Sequence, residues 1–68
     1  NFKFLEAVAN DESVPDVARG LALWSIYYQR RDKTSLELMR RYEGHKNAEI
    51  SKRAKEAIKS LEETYKLK

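Results

Sequence analysis

The stretch Ser13-Val14-Pro15-Asp16-Val17-Ala18-Arg19-Gly20-Leu21-Ala22-Leu23-Trp24-Ser25-Ile26-Tyr27-Tyr28, followed by Gln29-Arg30-Arg31, holds the chain's one tryptophan and its densest run of apolar residues. At 100° per residue, a helix through it places Val14, Val17, Ala18, Leu21, Trp24 and Tyr28 on one broad face, which is expected to be a core stripe with Trp24 as its hub. Leu23 and Tyr27 fall nearly opposite, and Ala22 and Ile26 lie along one side. A helix that is apolar almost all round has to be covered on more than one side. The segments before and after it therefore read as its cover.

The ends of this helix carry their own signals. Ser13 is placed to cap the free amides, and Asp16 three residues on completes a capping-box pattern. Pro15 suits a first turn, where its missing N–H costs nothing. Arg30 and Arg31 suit the C-terminal end of the helix dipole. Gly20 inside the helix costs about 1 kcal/mol relative to Ala, and that predicts close approach by another helix.

Working outward, Phe4, Leu5 and Val8 are spaced for one face of a short helix over residues 2–9. Asn10-Asp11-Glu12 then makes a polar break whose side chains can bond the local backbone. On the other side, Asp32-Lys33 connects to Thr34-Ser35-Leu36-Glu37, a second capping box. The third helix runs from there through Leu38, Met39 and Tyr42, and Gly44 is expected to end it in the left-handed C′ conformation. Asn47 is a good cap for the last helix, where Ile50, Ala54, Ala57, Ile58, Leu61 and Tyr65 give the cleanest apolar stripe. Its opposite face carries Lys52, Lys55, Glu56, Lys59 and Glu63, and Glu49 is placed to pair with Arg53. Beta-branched residues never alternate over a strand's length, so no sheet is expected. The reading is an all-α four-helix domain spanning 1–68, with hairpins over about 2–31 and 34–66.

The two halves match under a shift of thirty-three residues. Leu5 meets Leu38, Val17 meets Ile50, Leu21 meets Ala54, Trp24 meets Ala57 and Tyr28 meets Leu61. A short helix, a tight turn and a longer helix occurring twice is the pattern of a helical-hairpin repeat. The run from Asn10 to Arg19, with Leu21 and Trp24 behind it, resembles the turn and second helix of a HEAT repeat, and Glu49 to Ala54 repeats it more loosely. That resemblance implies two HEAT-like hairpins working in protein recognition. The second half, Leu36 to Tyr42 followed by Ile50 to Leu61, also looks like the last two helices of the TFIIS N-terminal domain family, of the integrase-binding-domain type. This likeness implies a nuclear adaptor module that docks disordered peptides, with Arg40-Arg41-Tyr42 near its binding end. The first half departs from that family at Pro15 and Trp24.

Composition narrows the function. A chain of 68 residues is one domain, and it buries only about 60% of its unfolded surface. With no cysteine, disulfides and thiolate metal sites are excluded. The net charge of +3 is a mild basic bias. No apolar run approaches the roughly 18–20 residues of a membrane span, and no signal-peptide pattern opens the chain. The domain is thus expected inside the cell, in cytoplasm or nucleus. It begins at Asn1 rather than Met, so a fragment of a larger protein is expected.

Little of the chain points to catalysis. His45, the one histidine, falls in a turn with no acidic pair at ligand spacing. No phosphate loop, nucleophile elbow or HExxH motif occurs. Glu62 and Glu63 are adjacent and diverge around their helix. Four short helices leave little room for a pocket with convergent polar groups. The expectation is therefore no catalytic residue, no metal, no cofactor and no small-molecule substrate. Leu23 and Tyr27, on the less apolar side of the central helix, are either covered or an exposed contact patch. Arg30, Arg31, Arg40, Arg41 and Lys46 are expected to form a positive rim at the inter-helix loops, attracting an acidic-hydrophobic peptide. The function expected is a protein or peptide interaction module, or a unit docked to neighbouring helical repeats. The alternative is a nucleic-acid-binding domain using the same rim.

Overall fold

In the computed structural model, which describes residues 2–67, four helices follow one another and no strand occurs among the described residues. They are α1 (Lys3–Asn10), α2 (Asp16–Gln29), α3 (Lys33–Tyr42) and α4 (Ala48–Glu63). The all-α four-helix architecture is as the sequence predicts. Close backbone packing joins α1 to α2, α3 to α4, and α2 to α4. The core between them is built on Leu23, Ile26, Leu36, Met39, Ile50 and Leu61, all fully buried, with Ala9, Ala54 and Ala57 filling the narrow places. Among the described residues no helix is long and apolar enough to cross a membrane.

Several helix ends differ from expectation. Ser13 does not cap α2: its amide and hydroxyl both donate to Asp11 Oδ1, at 2.9 and 2.6 Å, so its side chain is held in the preceding turn. The helix starts instead at Asp16 behind Pro15, which has no side chain to cap with, and Asp16 supplies the favourable first-turn charge. At α3 the cap is Asp32, which accepts from the Ser35 amide at 3.2 Å. An aspartate is a stronger cap than the threonine two residues on, so the helix begins earlier, at Lys33. Ser35 is thereby turned into the core, where its hydroxyl finds no hydrogen-bond partner. Gly44 does not adopt a left-handed conformation. Glu43 continues in right-handed geometry, and the His45 amide closes the turn onto the Tyr42 carbonyl at 3.0 Å. Asn47 caps α4 as expected, accepting from the amides of Glu49 and Ile50.

The largest difference is the face that α2 buries. Leu23 and Ile26 are 0% exposed and Ala22 and Tyr27 are nearly so, with Arg19 and Gly20 beside them. Val17 is 62% exposed, Leu21 51% and Tyr28 62%. The stripe expected to be core therefore faces outward, and Trp24 is half-buried at its edge rather than the hub. Arg19 explains part of this. Its Nε donates to the Ala9 carbonyl at 2.9 Å, so a cation is drawn inward to the C-terminal end of α1. Gly20 explains the rest, since α4 crosses there. In α1, Leu5 and Val8 turn inward but Phe4 is 77% exposed, because α2 covers only one side of so short a helix. Tyr65 lies beyond the end of α4 and is exposed, while the rest of the α4 stripe is buried or half-buried.

The match between halves also shifts. Arg19, Leu23 and Ile26 are buried as Ile50, Ala54 and Ala57 are, a separation of thirty-one residues (19 to 50, 23 to 54, 26 to 57) rather than thirty-three. Two residues turn a helix by about 200°. That is why the longer shift matches the outer side of α2 to the buried side of α4.

Candidate functional site

The outer side of α2 is the exposed apolar surface of the molecule that regular structure organises. Val17, Leu21, Trp24 and Tyr28 are spaced four, three and four residues apart. A helix brings such positions within an arc of about 60°, and the spacing is that of a coiled-coil seam. The small Ala18 and Ser25 flank the stripe, and Ser25 turns its hydroxyl back onto the Leu21 carbonyl at 2.9 Å. Trp24 and Tyr28 stack with centroids 5.5 Å apart, and the Arg53 guanidinium of α4 sits 6.0 Å from the Trp24 ring. Beyond the helix end, Arg31 lies 5.6 Å over the ring of Tyr65. The stripe is thus rigid, aromatic at one end, and bordered by cations. Rigid aromatic and arginine groups of this kind carry much of the energy of protein interfaces.

The contact residues expected from sequence are distributed differently. Leu23 and Tyr27 are buried, Leu23 entirely, and the Tyr27 hydroxyl bonds Ser60 of α4. They are packing residues of the α2–α4 crossing and present no contact patch. The basic rim does not gather at one mouth. Arg40 pairs with Glu62 at 2.8 Å, and Lys46 pairs with Glu12 at 2.9 Å across the two inter-helix turns. Arg40 and Arg41, being consecutive on α3, diverge by about 100°. Arg30 pairs with Asp32. Two rim residues do come together: Arg30 and Arg41 line one cleft of about 250 Å³ with Lys3, Glu6 and Thr34 over Phe2 and Leu38. The cleft lies between the start of α1, the end of α2 and one face of α3.

Around the turns the carboxylates are held ionised. The Ser13 hydroxyl and amide lower the pKa of Asp11, the Lys46 ammonium lowers that of Glu12, and the Arg30 guanidinium lowers that of Asp32. Tyr42 is the opposite case. Its hydroxyl donates to Glu6 at 3.0 Å and accepts from Asn10 at 2.9 Å, and burial pushes its pKa up. His45 stacks on Tyr42 and its Nδ1 accepts from the Asn47 amide at 3.0 Å, so it serves the α3–α4 turn.

What the sequence reading missed is Val17, Leu21 and Tyr28 as surface residues. Gly20, marked as a point of close helix approach, lies within about 60° of Leu23 and Tyr27 but equally of Val17 and Trp24, so close approach there does not by itself choose between the two faces. Comparison with protein-family models, curated proteins and solved structures finds no match to this chain.

Proposed function

We propose that this chain is a non-catalytic protein-interaction module built of two HEAT-like hairpins, and that it docks a helical protein segment along the outer side of α2. The observation that carries the reading is the exposed stripe of Val17, Leu21 and Tyr28 beside half-buried Trp24. Large apolar residues aligned on one helix face mark contact surfaces when they are left to water together, and the seam spacing suits a helix laid lengthwise. The repeat reading draws support from the side-chain bonds between hairpins. Asp16 with Asn47 joins residues 31 positions apart, the offset at which the two halves bury like positions, and Asn10 with Tyr42 and Tyr27 with Ser60 lie within two positions of that offset. Stacked repeats put like positions next to one another in this way.

Nucleic-acid binding is the weaker reading. Arg19, Arg30, Arg40, Lys46 and Arg53, five of the fourteen Lys and Arg, each face a carboxylate of this chain, and a net charge of +3 is low for a surface that tracks phosphates. A second protein reading has its own support: Arg30 and Arg41 above Phe2 and Leu38 make a cleft suited to an acidic-hydrophobic peptide.

The test is a set of titrations at low and moderate salt. The probes are a synthetic amphipathic helix with apolar residues every three and four positions, an acidic-hydrophobic peptide, generic duplex DNA and single-stranded RNA. Binding of the amphipathic helix that changes little with salt and is lost in Leu21→Glu is the expected result. Binding of the acidic peptide that is lost in Arg41→Glu instead would move the site to the cleft. Nucleic-acid binding with a slope of about −0.7 to −0.9 per phosphate contact in log[salt], and no peptide binding, would overturn the proposal.

A further inference from the structure

We infer that the occupant of the outer side of α2 is a second copy of this chain, the two α2 helices lying antiparallel across a two-fold axis. The inference rests on the reading of that side as a protein contact, and the spacing of the stripe takes it further. Steps of four, three and four residues read the same in both directions. An antiparallel two-fold placed midway between Leu21 and Trp24 therefore sets Val17 against Tyr28 of the second copy, and Leu21 against its Trp24. Every layer of the seam then joins a branched aliphatic side chain to an aromatic ring. Such alternation of smaller and larger groups lets facing side chains interdigitate, and a self-complementary patch is what a two-fold dimer requires.

Charge favours the same arrangement. Asp16 opens α2 with its side chain 69% exposed, and Arg30 and Arg31 follow the helix at its other end, both exposed. Antiparallel pairing brings the Asp16 of each copy beside Arg31 of the other, twice by symmetry, while Arg30 keeps its own Asp32, and it sets the helix dipoles head to tail. Parallel pairing would put Asp16 against Asp16 and the arginines against each other. It would also place Val17 on Val17 and Tyr28 on Tyr28, so that small residues meet small and large meet large. Charge and shape therefore select one orientation.

One helix face per subunit is a small contact, at the low end of about 1,200 Å² or less that typifies weak complexes. A dissociation constant on the order of micromolar is expected. Sedimentation equilibrium of the chain from about 1 μM to about 1 mM should show the mass rising from one chain to two across that range. Leu21→Glu introduces a charge at a half-exposed position, so it should keep the helix content and thermal melt while raising the dissociation constant at least 30-fold. Val17→Lys, further exposed, serves the same purpose if Leu21→Glu fails to fold. The orientation can be trapped because the chain has no cysteine. When Val17→Cys chains are mixed with Tyr28→Cys chains and oxidised, the mixed disulfide should exceed either homodisulfide several-fold. A chain monomeric up to about 1 mM, a dimer indifferent to both charge variants, or predominance of the homodisulfides would each overturn the dimer. A monomer that still binds the amphipathic helix through Leu21 would overturn the dimer alone and leave the interaction reading standing. Loss of both would overturn both.

Discussion

Gly20 stands where α2 crosses α4, and a methyl group there would lie 3.0 Å from Glu49 Cγ, 3.1 Å from Arg53 Cγ and 3.2 Å from the Glu49 carboxylate. Two effects compete at this residue. Alanine is better than glycine in a helix by about 1 kcal/mol, whereas overpacking costs about 1–3 kcal/mol. Both Cγ atoms sit at the base of side chains tied together by the 2.9 Å Arg53–Glu49 pair, so neither withdraws without breaking that pair. The steric effect is the larger. Gly20→Ala should lower the melting temperature by several degrees, since about 1 kcal/mol moves a domain of this size by about 4–8 °C. A higher melting temperature by circular dichroism would remove the tight crossing. Ser35 is predicted to behave in the opposite sense. Its hydroxyl is buried without a hydrogen-bond partner, and leaving such a group unsatisfied costs about 1–3 kcal/mol. Its backbone amide, which meets Asp32, is untouched by substitution. Ser35→Ala should therefore raise the melting temperature, and a fall would mean that the hydroxyl has a partner in solution.

On the scale of the elements, periodicity places all four helices but turns the wrong face of α2 to the core. Ile50, Ala54, Ala57 and Leu61 form a narrow stripe on an otherwise charged helix, and that stripe is buried as read. In α2 nearly every side carries an apolar residue, so hydrophobic spacing fits more than one orientation. Two groups chose: buried Arg19, reaching the Ala9 carbonyl, and Gly20, admitting α4. A buried arginine runs against the ordinary preference of charged residues for the surface, and its hydrogen bond to α1 together with its pairing to Asp16 makes sense of it. The candidate site inherited the misreading, because the outer side of α2 is whatever the core leaves over. The two leucines on opposite sides of the helix give a direct test. Leu23→Ala removes a fully buried side chain and should cost about 2–5 kcal/mol, enough to unfold much of a domain with about 3–5 kcal/mol in hand. Leu21→Ala lies on the outer side and should stay within about 0.5 kcal/mol. Urea unfolding of the two variants would expose the error if Leu21→Ala proved the more damaging.

For the whole molecule, side-chain bonds within and between the turns set the response to pH. Asp11, Glu12 and Asp32 have pKa values lowered by their partners. A carboxyl lowered on folding contributes stability that is present above its unfolded pKa and lost as pH falls through the folded one. Tyr42 is raised, so its contribution is present below the unfolded phenol value and lost as pH climbs past the folded one. Melting temperature should hold level between about pH 6 and 9, then fall below about pH 4 and above about pH 10. An acid limb unchanged in the combined Asp11→Asn, Glu12→Gln and Asp32→Asn variant would assign it to other groups.

The same turns join two hairpins, and the crossing of α2 over α4 decides whether either hairpin can stand alone. Residues 32–68 would retain α3 against α4 but lose α2, uncovering the side of α4 that meets Gly20 and Tyr27. A chain below about 40 residues usually needs a disulfide, a metal or a partner to fold, and this one has no cysteine to supply the first. The 10-residue α3 falls below the roughly 12–15 residues that an isolated helix needs in water even with good helix formers, and the 16-residue α4 barely exceeds that length. The isolated segment 32–68 should therefore show weak helical circular dichroism and no cooperative melt, while the full chain melts in one transition. Adding residues 1–31 as a separate peptide should restore part of the helical signal, because it returns α2 and with it Leu23, Ile26 and Tyr27 to their places. A cooperative melt of 32–68 by itself would show that the second hairpin folds without the crossing, and that α2 is a docked helix rather than half of one shared core.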